Sequence, residues 1–229
     1  NDIFKAAIIA MALIETAAVF ATFMSFLLLI GSQPATHTIY MGIAELGIAA
    51  AICFSGFVLG LVSSFPARSA CLAIARQPFF NQKIVRFMMI SLSLLQTPII
   101  FGLIVALFIR GQIEQVTTLR EAFRLLASGL CIGIGSIGPA IGLALFAQTA
   151  CHGIGVNRKA YNQLFSFTLI SQAIIETPII FSLVISAALL FIVQPVAGEN
   201  IVDGIALLAA GICTGIGTIG PGISSGRTA

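Results

Sequence analysis

Long apolar runs separated by short polar segments dominate the chain. Several of these runs exceed the roughly 20 residues that an α-helix needs to cross a bilayer. The pattern predicts an all-α membrane protein with about six transmembrane helices. We place these helices at about 3–30, 39–74, 83–109, 121–155, 160–193 and 201–229.

Composition supports a membrane location. Hydrophobic residues make up 59% and charged residues 8% of the 229 residues, whereas a soluble domain carries about 25% charged residues. The net charge of +3 is too small to indicate a nucleic-acid partner. The five cysteines lie inside apolar runs without metal-ligand spacing, so we expect them to pack as small hydrophobic residues.

An internal repeat organises the chain. The octet LLQTPIIF at 94–101 returns as IIETPIIF at 174–181. The polar residue of this octet has a counterpart in the first apolar run, so that Glu15, Gln96 and Glu176 are spaced by 81 and 80 residues. Each of these residues lies near the middle of a bulky predicted helix.

The partner helices repeat as well, because GIGSIGPAIG at 133–142 returns as GIGTIGPGIS at 215–224. The repeating unit is therefore a hairpin with a Gly/Ala-rich helix, a short polar loop and a bulky helix. Units with an even number of spans keep one orientation, so the copies are parallel.

Four segments follow from this repeat. They are an acid-bearing helix at 1–31, a hairpin with Gln96 at 38–110, a hairpin with Glu176 at 120–194, and the Gly-rich helix of an incomplete hairpin at 200–229. The chain thus begins and ends inside a repeat. We expect missing flanking residues, or a repeat array divided at an arbitrary point, to explain these ends.

The loops predict the orientation. Those inside the hairpins carry only basic residues, whereas the segment at 110–124 mixes arginines with glutamates. An excess of Lys and Arg marks the cytoplasmic side, so we expect the hairpin loops to be cytoplasmic.

The glycines of the Gly-rich helices indicate close helix packing. Small residues let two backbones touch within a membrane. A phosphate-binding interpretation of GIGSIG lacks support, since no strand precedes it and it lies inside a predicted span. The glycines expected to pack are Gly133, Gly135, Gly138, Gly142, Gly215, Gly217 and Gly220.

The acids are candidate ion carriers. A charged side chain near the bilayer centre costs at least about 2.5–3.5 kcal/mol, and burial favours the neutral, protonated acid. A neutral acid can move through lipid, whereas an ionised one needs water or a counter-charge. Glu176 and Glu15 are therefore predicted to load and unload a proton. The alternative is a permanently protonated Glu that bonds a neighbouring backbone.

Gln96 differs from the acids in one property. Glutamine has nearly the shape of glutamate and forms hydrogen bonds, but it cannot release a proton. We therefore interpret Gln96 as a carrier site silenced in place.

Threonine follows each of these polar positions, as Thr16, Thr97 and Thr177. Each hydroxyl can bond the adjacent carboxyl or, equally, a carbonyl of its own helix.

Further groups could contribute to the Glu176 site. Pro178 lacks an N–H and frees the carbonyl of Ile174, as Pro98 does for Leu94. Gln172 lies one turn before Glu176. The first copy has Met11 and Ala17 at the positions of Gln172 and Pro178, so its site is poorer in ligands.

These motifs together resemble the proteolipid c subunit of rotary F-type ATP synthases, here in a fused multi-hairpin form. The resemblance rests on GIGSIGPAIG and GIGTIGPGIS, on ARQP at 75–78 and on QAIIET at 172–177. It covers essentially the whole chain as about three hairpin equivalents.

The resemblance implies a concentric ring with Gly-rich helices inside and acid-bearing helices outside. Its partners would be copies of the chain, lipid, a stator a subunit whose Arg faces the Glu, and central-stalk subunits. The stalk would bind the cytoplasmic loop at Arg76, Gln77 and Pro78, although the later hairpin departs with GVNR at 155–158. It also implies a bacterial inner membrane. No ATP-binding motif is present, so we expect no catalysis by the chain itself and no cofactor.

The ion is predicted to be H⁺, with Na⁺ at Glu176 as the alternative. Sodium-binding members have a similar QAIxE(S/T) segment, which this chain matches at 172–177. They also use a Gln on the Gly-rich helix and a Tyr after the acid. The corresponding residues here are Leu143 or Ser225, and Phe181 or Phe20.

Replacing one acid also resembles the vacuolar-type proteolipids. The membrane potential supplies about 2.3 kcal/mol per charge per 100 mV. Fewer carriers per turn therefore predict a reduced ion-to-ATP ratio.

Two other classes of protein remain open at this point. One is a self-contained channel or secondary transporter built from parallel repeats, which needs polar residues that converge on one cavity. The other is a structural membrane scaffold. Arg68 lies inside a predicted span, and we expect it to extend to the cytoplasmic interface instead of pairing with Glu15.

Overall fold

The computed structural model describes residues 2–31, 38–193 and 201–229. Its described residues form helices and turns without any strand, in agreement with the predicted all-α fold. Six helical spans within them are long and apolar enough to cross a membrane. We number these spans 1 to 6: Asp2–Gly31, Ile39–Arg76, Pro78–Gln115, Leu119–Val156, Arg158–Phe191 and Ile201–Thr228. The predicted segment ends at 1, 194 and 200 lie outside the described residues.

Span 1 is continuous, and each of the others is interrupted once. The halves are Ile39–Val62 and Ser64–Arg76, Asn81–Leu95 and Thr97–Gln112, Leu119–Gly135 and Ile137–Val156, Tyr161–Ile175 and Thr177–Phe191, and Ile201–Gly217 and Ile219–Thr228. Short 3₁₀ turns occupy Pro78–Phe80, Ile113–Gln115 and Arg158–Ala160.

Proline explains the interruptions. A proline stands two or three residues after each one and cannot donate the helical hydrogen bond. The interrupting residues keep right-handed helical angles, as at Glu176 with φ −76° and ψ −16°. Each break is therefore a missing hydrogen bond within a helix that continues. Span 1 stays intact because Ala17 stands where spans 3 and 5 have proline.

The six spans form two layers. Spans 2, 4 and 6 pack side by side with the most extensive contacts in the chain. Spans 1, 3 and 5 form a second layer, in which span 3 packs on spans 2 and 4, and span 5 on spans 4 and 6. The Gly-rich and bulky helices are thus segregated.

Glycine permits the close contact in the first layer. A Cβ added at Gly129 would meet the backbone of Gly47, and one added at Gly142 would meet Gly222. Gly133, Gly135, Gly138 and Gly215 also contact neighbouring spans at short range. In contrast, no heavy atom of the described residues lies within 4 Å of a Cβ built at Gly217 or Gly220.

Replacing Gly129 with Ala is expected to destabilise the fold, because the backbone of span 2 would have to move. Overpacking of this kind costs about 1–3 kcal/mol. Gly42→Ala is the matched control, since nothing lies within 4 Å of its Cβ position. Thermal unfolding of the purified proteins in detergent measures the difference, and equal stability of the two variants would contradict this packing.

Serine side chains join the two layers. Ser128 of span 4 and Ser186 of span 5 are fully buried, with their hydroxyls 2.7 Å apart. Each hydroxyl also bonds the other residue's carbonyl, at 3.1 and 3.0 Å. These reciprocal bonds hold the Glu176-bearing span against its Gly-rich partner.

Arginines in the segment at 110–124 bind helix ends. The guanidinium of Arg124 donates to the carbonyls of Leu190 and Val193, at 3.2 and 3.0 Å, and to Oε1 of Gln112 at 2.9 Å. It therefore caps the C-terminal end of span 5. Nε of Arg120 lies 3.9 Å from Oδ2 of Asp203. These contacts give the arginines a structural role on the side that the charge pattern assigns away from the cytoplasm.

Candidate ion-carrier site

Glu176 lies at the interruption of span 5, where its two halves meet. The side chain is half-buried between spans, and its Oε1 is buried with no hydrogen-bond partner among the described residues. The carboxyl interacts with the hydroxyl of Thr97, which belongs to span 3. The hairpin without an acid thus contributes to the surroundings of Glu176.

Of the two predicted hydrogen bonds, the threonines form the one to a carbonyl of their own helix. Thr97, Thr177 and Thr16 each donate to the carbonyl three residues earlier in the same helix, at 2.7, 2.8 and 2.6 Å. For Thr97 and Thr177 the acceptors are the carbonyls of Leu94 and Ile174, which proline leaves without an N–H partner. The hydrogen of the Thr97 hydroxyl is thus directed to Leu94 in its own helix.

Gln172 lies one turn before Glu176 on the same face of span 5. Its side chain is 0% exposed, and neither Nε2 nor Oε1 has a hydrogen-bond partner among the described residues. An unsatisfied buried amide is costly. Gln172 and Glu176 therefore offer unfilled donor and acceptor capacity within about one helical turn of span 5.

Gln96 occupies the equivalent position on span 3, with 7% of its surface exposed. Its Nε2 donates to the carbonyl of Leu13 in span 1 at 2.8 Å. The same carbonyl accepts the hydroxyl of Thr16. By the repeat, Leu13 and Thr16 correspond to Leu94 and Thr97 beside Glu176. The amide of Gln96 thus donates to the preceding outer helix as a protonated acid would.

Glu15 differs from Glu176 and Gln96, because it lies on the exposed face of span 1. An open groove of about 550 Å³ surrounds it, lined by Ala18, Val19, Thr22, Phe23 and Phe26. Within the described residues Glu15 has no salt-bridge partner. Arg68 is exposed beside Gln148 and His152 of span 4, away from Glu15.

Sodium-binding members have a Gln on the Gly-rich helix and a Tyr after the acid as further ligands. The residues at these positions do not supply such ligands here. Leu143 is buried, and Phe181 is 64% exposed. The hydroxyl of Ser225 donates to the carbonyl of Gly222 in its own helix at 3.0 Å.

The two hairpin loops form one surface. Nε2 of Gln77 donates to the carbonyl of Gly155 at 2.8 Å, and Nη1 of Arg76 lies 3.1 Å from Nε2 of His152. Pro78 begins span 3 in a 3₁₀ turn beside the fully exposed Phe79. The loops enclose a groove of about 490 Å³ with Arg158 and Lys159 on its other wall. Sequence reasoning missed His152 and Gly155, since only the packing of spans 2 and 4 brings them to the first loop.

The fold and this site define a class: membrane proteolipids built of parallel helical hairpins, with one polar position in the middle of each outer helix. The profile of the family described as the c subunit of ATP synthase matches the chain twice, at residues 46–109 and 126–189, which together exceed half of its length. The chain belongs to this family of ATP synthase c subunits.

Individual relatives agree with this assignment. The ATP synthase c subunit of Dehalococcoides mccartyi is 39% identical over 72 residues, which are 31% of this chain and 95% of the relative. That of Chloroflexus aurantiacus is 35% identical over 66 residues, or 29% of this chain and 87% of the relative. That of Prochlorococcus marinus is 35% identical over 74 residues, or 32% and 91%.

Family membership confirms the predicted relationship and the hairpin repeat, because spans 2–3 and 4–5 each match the family once. The chain is an integral membrane protein of the rotor-ring type that takes part in ion translocation. Proteins of this family are non-catalytic components of the ATP synthase.

Proposed function

We propose that this chain carries protons in the rotor ring of a membrane ATP synthase or ATPase, with Glu176 as a carrier. The observation that supports this most strongly is a carboxyl at the middle of span 5 whose Oε1 is buried without a partner among the described residues. Family membership favours this function over a self-contained channel or transporter. In the ring, copies of the chain stand side by side, and a stator a subunit with an Arg faces the acids.

The neighbours of Glu176 favour its protonated form within the ring. The Oε1 atom of Glu176 is buried without a hydrogen-bond donor among the described residues, and burial disfavours the charged carboxylate. An ionised carboxyl in these surroundings would need water or a cation. The Arg of the stator supplies such a cation, so the proton leaves where the stator meets the ring.

Gln96 occupies a carrier position and keeps the hydrogen-bonding arrangement that a protonated acid would have there. Its amide donates to Leu13 as a protonated acid at that position would, but it has no proton to release. The position therefore passes the stator without exchanging an ion. The three outer helices of this sequence carry two mid-membrane acids and one glutamine, which reduces the number of ions moved per ATP.

Glu15 is assigned as the second carrier. It lies in an open groove on span 1, which leaves room for a further helix of the ring to complete its site. The open Gly217 and Gly220 of span 6 likewise allow close approach of a further helix of the ring.

The loops of the two hairpins are the proposed contact for the central stalk on the cytoplasmic side. Arg76, Arg158 and Lys159 give this surface a positive charge. The hydrogen bond from Gln77 to Gly155 holds the two loops in a fixed relation.

The identity of the transported ion can be tested directly. Proteoliposomes with the complete enzyme are expected to acidify on ATP addition in sodium-free buffer, and to take up no radioactive sodium. The reason is that Leu143, Ser225 and Phe181 do not add ligands to the carboxyl of Glu176. ATP-driven sodium uptake that depends on Glu176 would contradict the proton assignment and place Na⁺ at this site.

A further inference from the structure

A groove between spans 1 and 3 lies at the end of the bundle that carries the hairpin loops. It encloses about 590 Å³ and has a polar upper part and an apolar lower part. Lys5, Arg86, Asn81 and Gln82 line the upper part together with Val85, and Ile9, Met89 and Ile90 line the lower part. From the loops inward, polar groups are followed by apolar groups, as the headgroup of a lipid is followed by its acyl chains.

The two cations stand at the same depth. Lys5 and Arg86 are 81 residues apart, which is the repeat distance between spans 1 and 3. Neither forms a salt bridge with an acid of the described residues. Asp2 is the one acid among the residues described as lining the groove, and the side-chain amide of Asn81 donates to its carboxylate. The groove therefore keeps a net positive charge.

The neighbouring boundary explains why this groove is open. Between spans 3 and 5, the rings of Phe87, Tyr161 and Phe165 pack together with centroids 5.9–6.5 Å apart. The repeat places Ala6, Asn81 and Val85 at the equivalent positions between spans 1 and 3. Small side chains thus replace the aromatic rings, and space remains beside the two cations.

The location of the groove indicates what kind of molecule binds in it. Spans 1 and 3 are adjacent outer helices of one chain, so a neighbouring copy does not have to cover the groove between them. Basic pockets between transmembrane helices on the cytoplasmic side bind anionic headgroups. The apolar wall continues for about one turn, or ~6 Å, below the cations, which suits the start of an acyl chain and not a free ion.

We propose that this groove binds an anionic phospholipid, with its phosphate between Lys5 and Arg86 and an acyl chain along Ile9 and Met89. The lipid takes the place of the aromatic rings that seal the next boundary. It lies at the cytoplasmic end of span 1, below the loops, with its phosphate about three turns from Glu15.

The proposal is tested with the complete complex in vesicles of about nine parts phosphatidylcholine to one part phosphatidylglycerol. A photoactivatable phosphatidylglycerol with a diazirine in the acyl chain is expected to label peptides that contain Ile9 and Met89. Lys5→Gln should reduce this labelling about fivefold, and Lys5→Gln with Arg86→Gln about 25-fold. Val85→Phe, which introduces the residue that span 5 has at this position, should reduce it with both cations intact.

Lys159→Gln is the matched control, because it removes a cation of the loop surface outside the groove and should leave labelling unchanged. Equal labelling by phosphatidylcholine carrying the same diazirine would overturn the proposal, as would full labelling in the double variant. Displacement of the lipid by millimolar inorganic phosphate would assign the site to free anions and overturn it as well.

Discussion

ATP-driven proton transport is expected to fall at least about twofold when Glu176 is replaced with Gln, because one of the two carrier acids is lost. An amide at this position cannot release a proton to the stator, and each chain then retains only Glu15. Assembly should survive, because Gln96 shows that the amide fits the equivalent position with a hydrogen bond of 2.8 Å to the preceding helix. Acidification of proteoliposomes and the size of the purified ring are the two measurements.

The controls separate a carrier from a structural acid. Glu114→Gln removes an exposed acid near the end of span 3, and transport should be unchanged. The double variant Glu15→Gln with Glu176→Gln should show no transport above background. Normal transport by Glu176→Gln would mean that a protonated Glu176 only holds the helices together, which is the scaffold interpretation.

Replacing Gln96 with Glu is expected to raise the number of protons moved per ATP. Each chain would then carry three acids instead of two, a change of about 1.5-fold in the charge that the membrane potential drives per turn. The protonated carboxyl can donate to Leu13, as the amide does now. The ratio is obtained from the proton-motive force at which ATP synthesis and hydrolysis balance in proteoliposomes.

A matched variant controls for added charge. Gln115→Glu introduces an acid at the exposed end of span 3 and should leave the ratio unchanged. If Gln96→Glu assembles with an unchanged ratio, position 96 is not a carrier position, and its glutamine is only a packing residue.

The sequence was sufficient to predict the helices and their repeat. Apolar length defines a membrane span without knowledge of its partners, and the spacing of Glu15, Gln96 and Glu176 defines the hairpin. The glycines at 133 and 142 were predicted to pack closely, and both do so. Gly217 and Gly220 were predicted to pack in the same way, but they face open space within the described part of the chain. Within the described residues, no further span packs against their side of span 6.

The contacts between spans could not be predicted. The approach of Thr97 to Glu176 joins two hairpins, and the bond from Gln96 to Leu13 joins span 3 to span 1. Both depend on the relative height of adjacent helices, which hydropathy does not specify. For the same reason, the charge pattern treated Arg124 as a loop residue, although its guanidinium caps span 5. The threonines were ambiguous because two acceptors lie within reach of one hydroxyl.

Carbodiimide labelling of the native complex tests the central claim most directly. The reagent adds to a protonated carboxyl that is accessible from lipid, and peptide mass spectrometry locates the adduct. Our account predicts modification at Glu176 and Glu15, none at Gln96, and loss of ATP-driven transport in proportion to the labelling. Absence of adducts at both acids, with transport unaffected, would contradict it and make the acids structural groups.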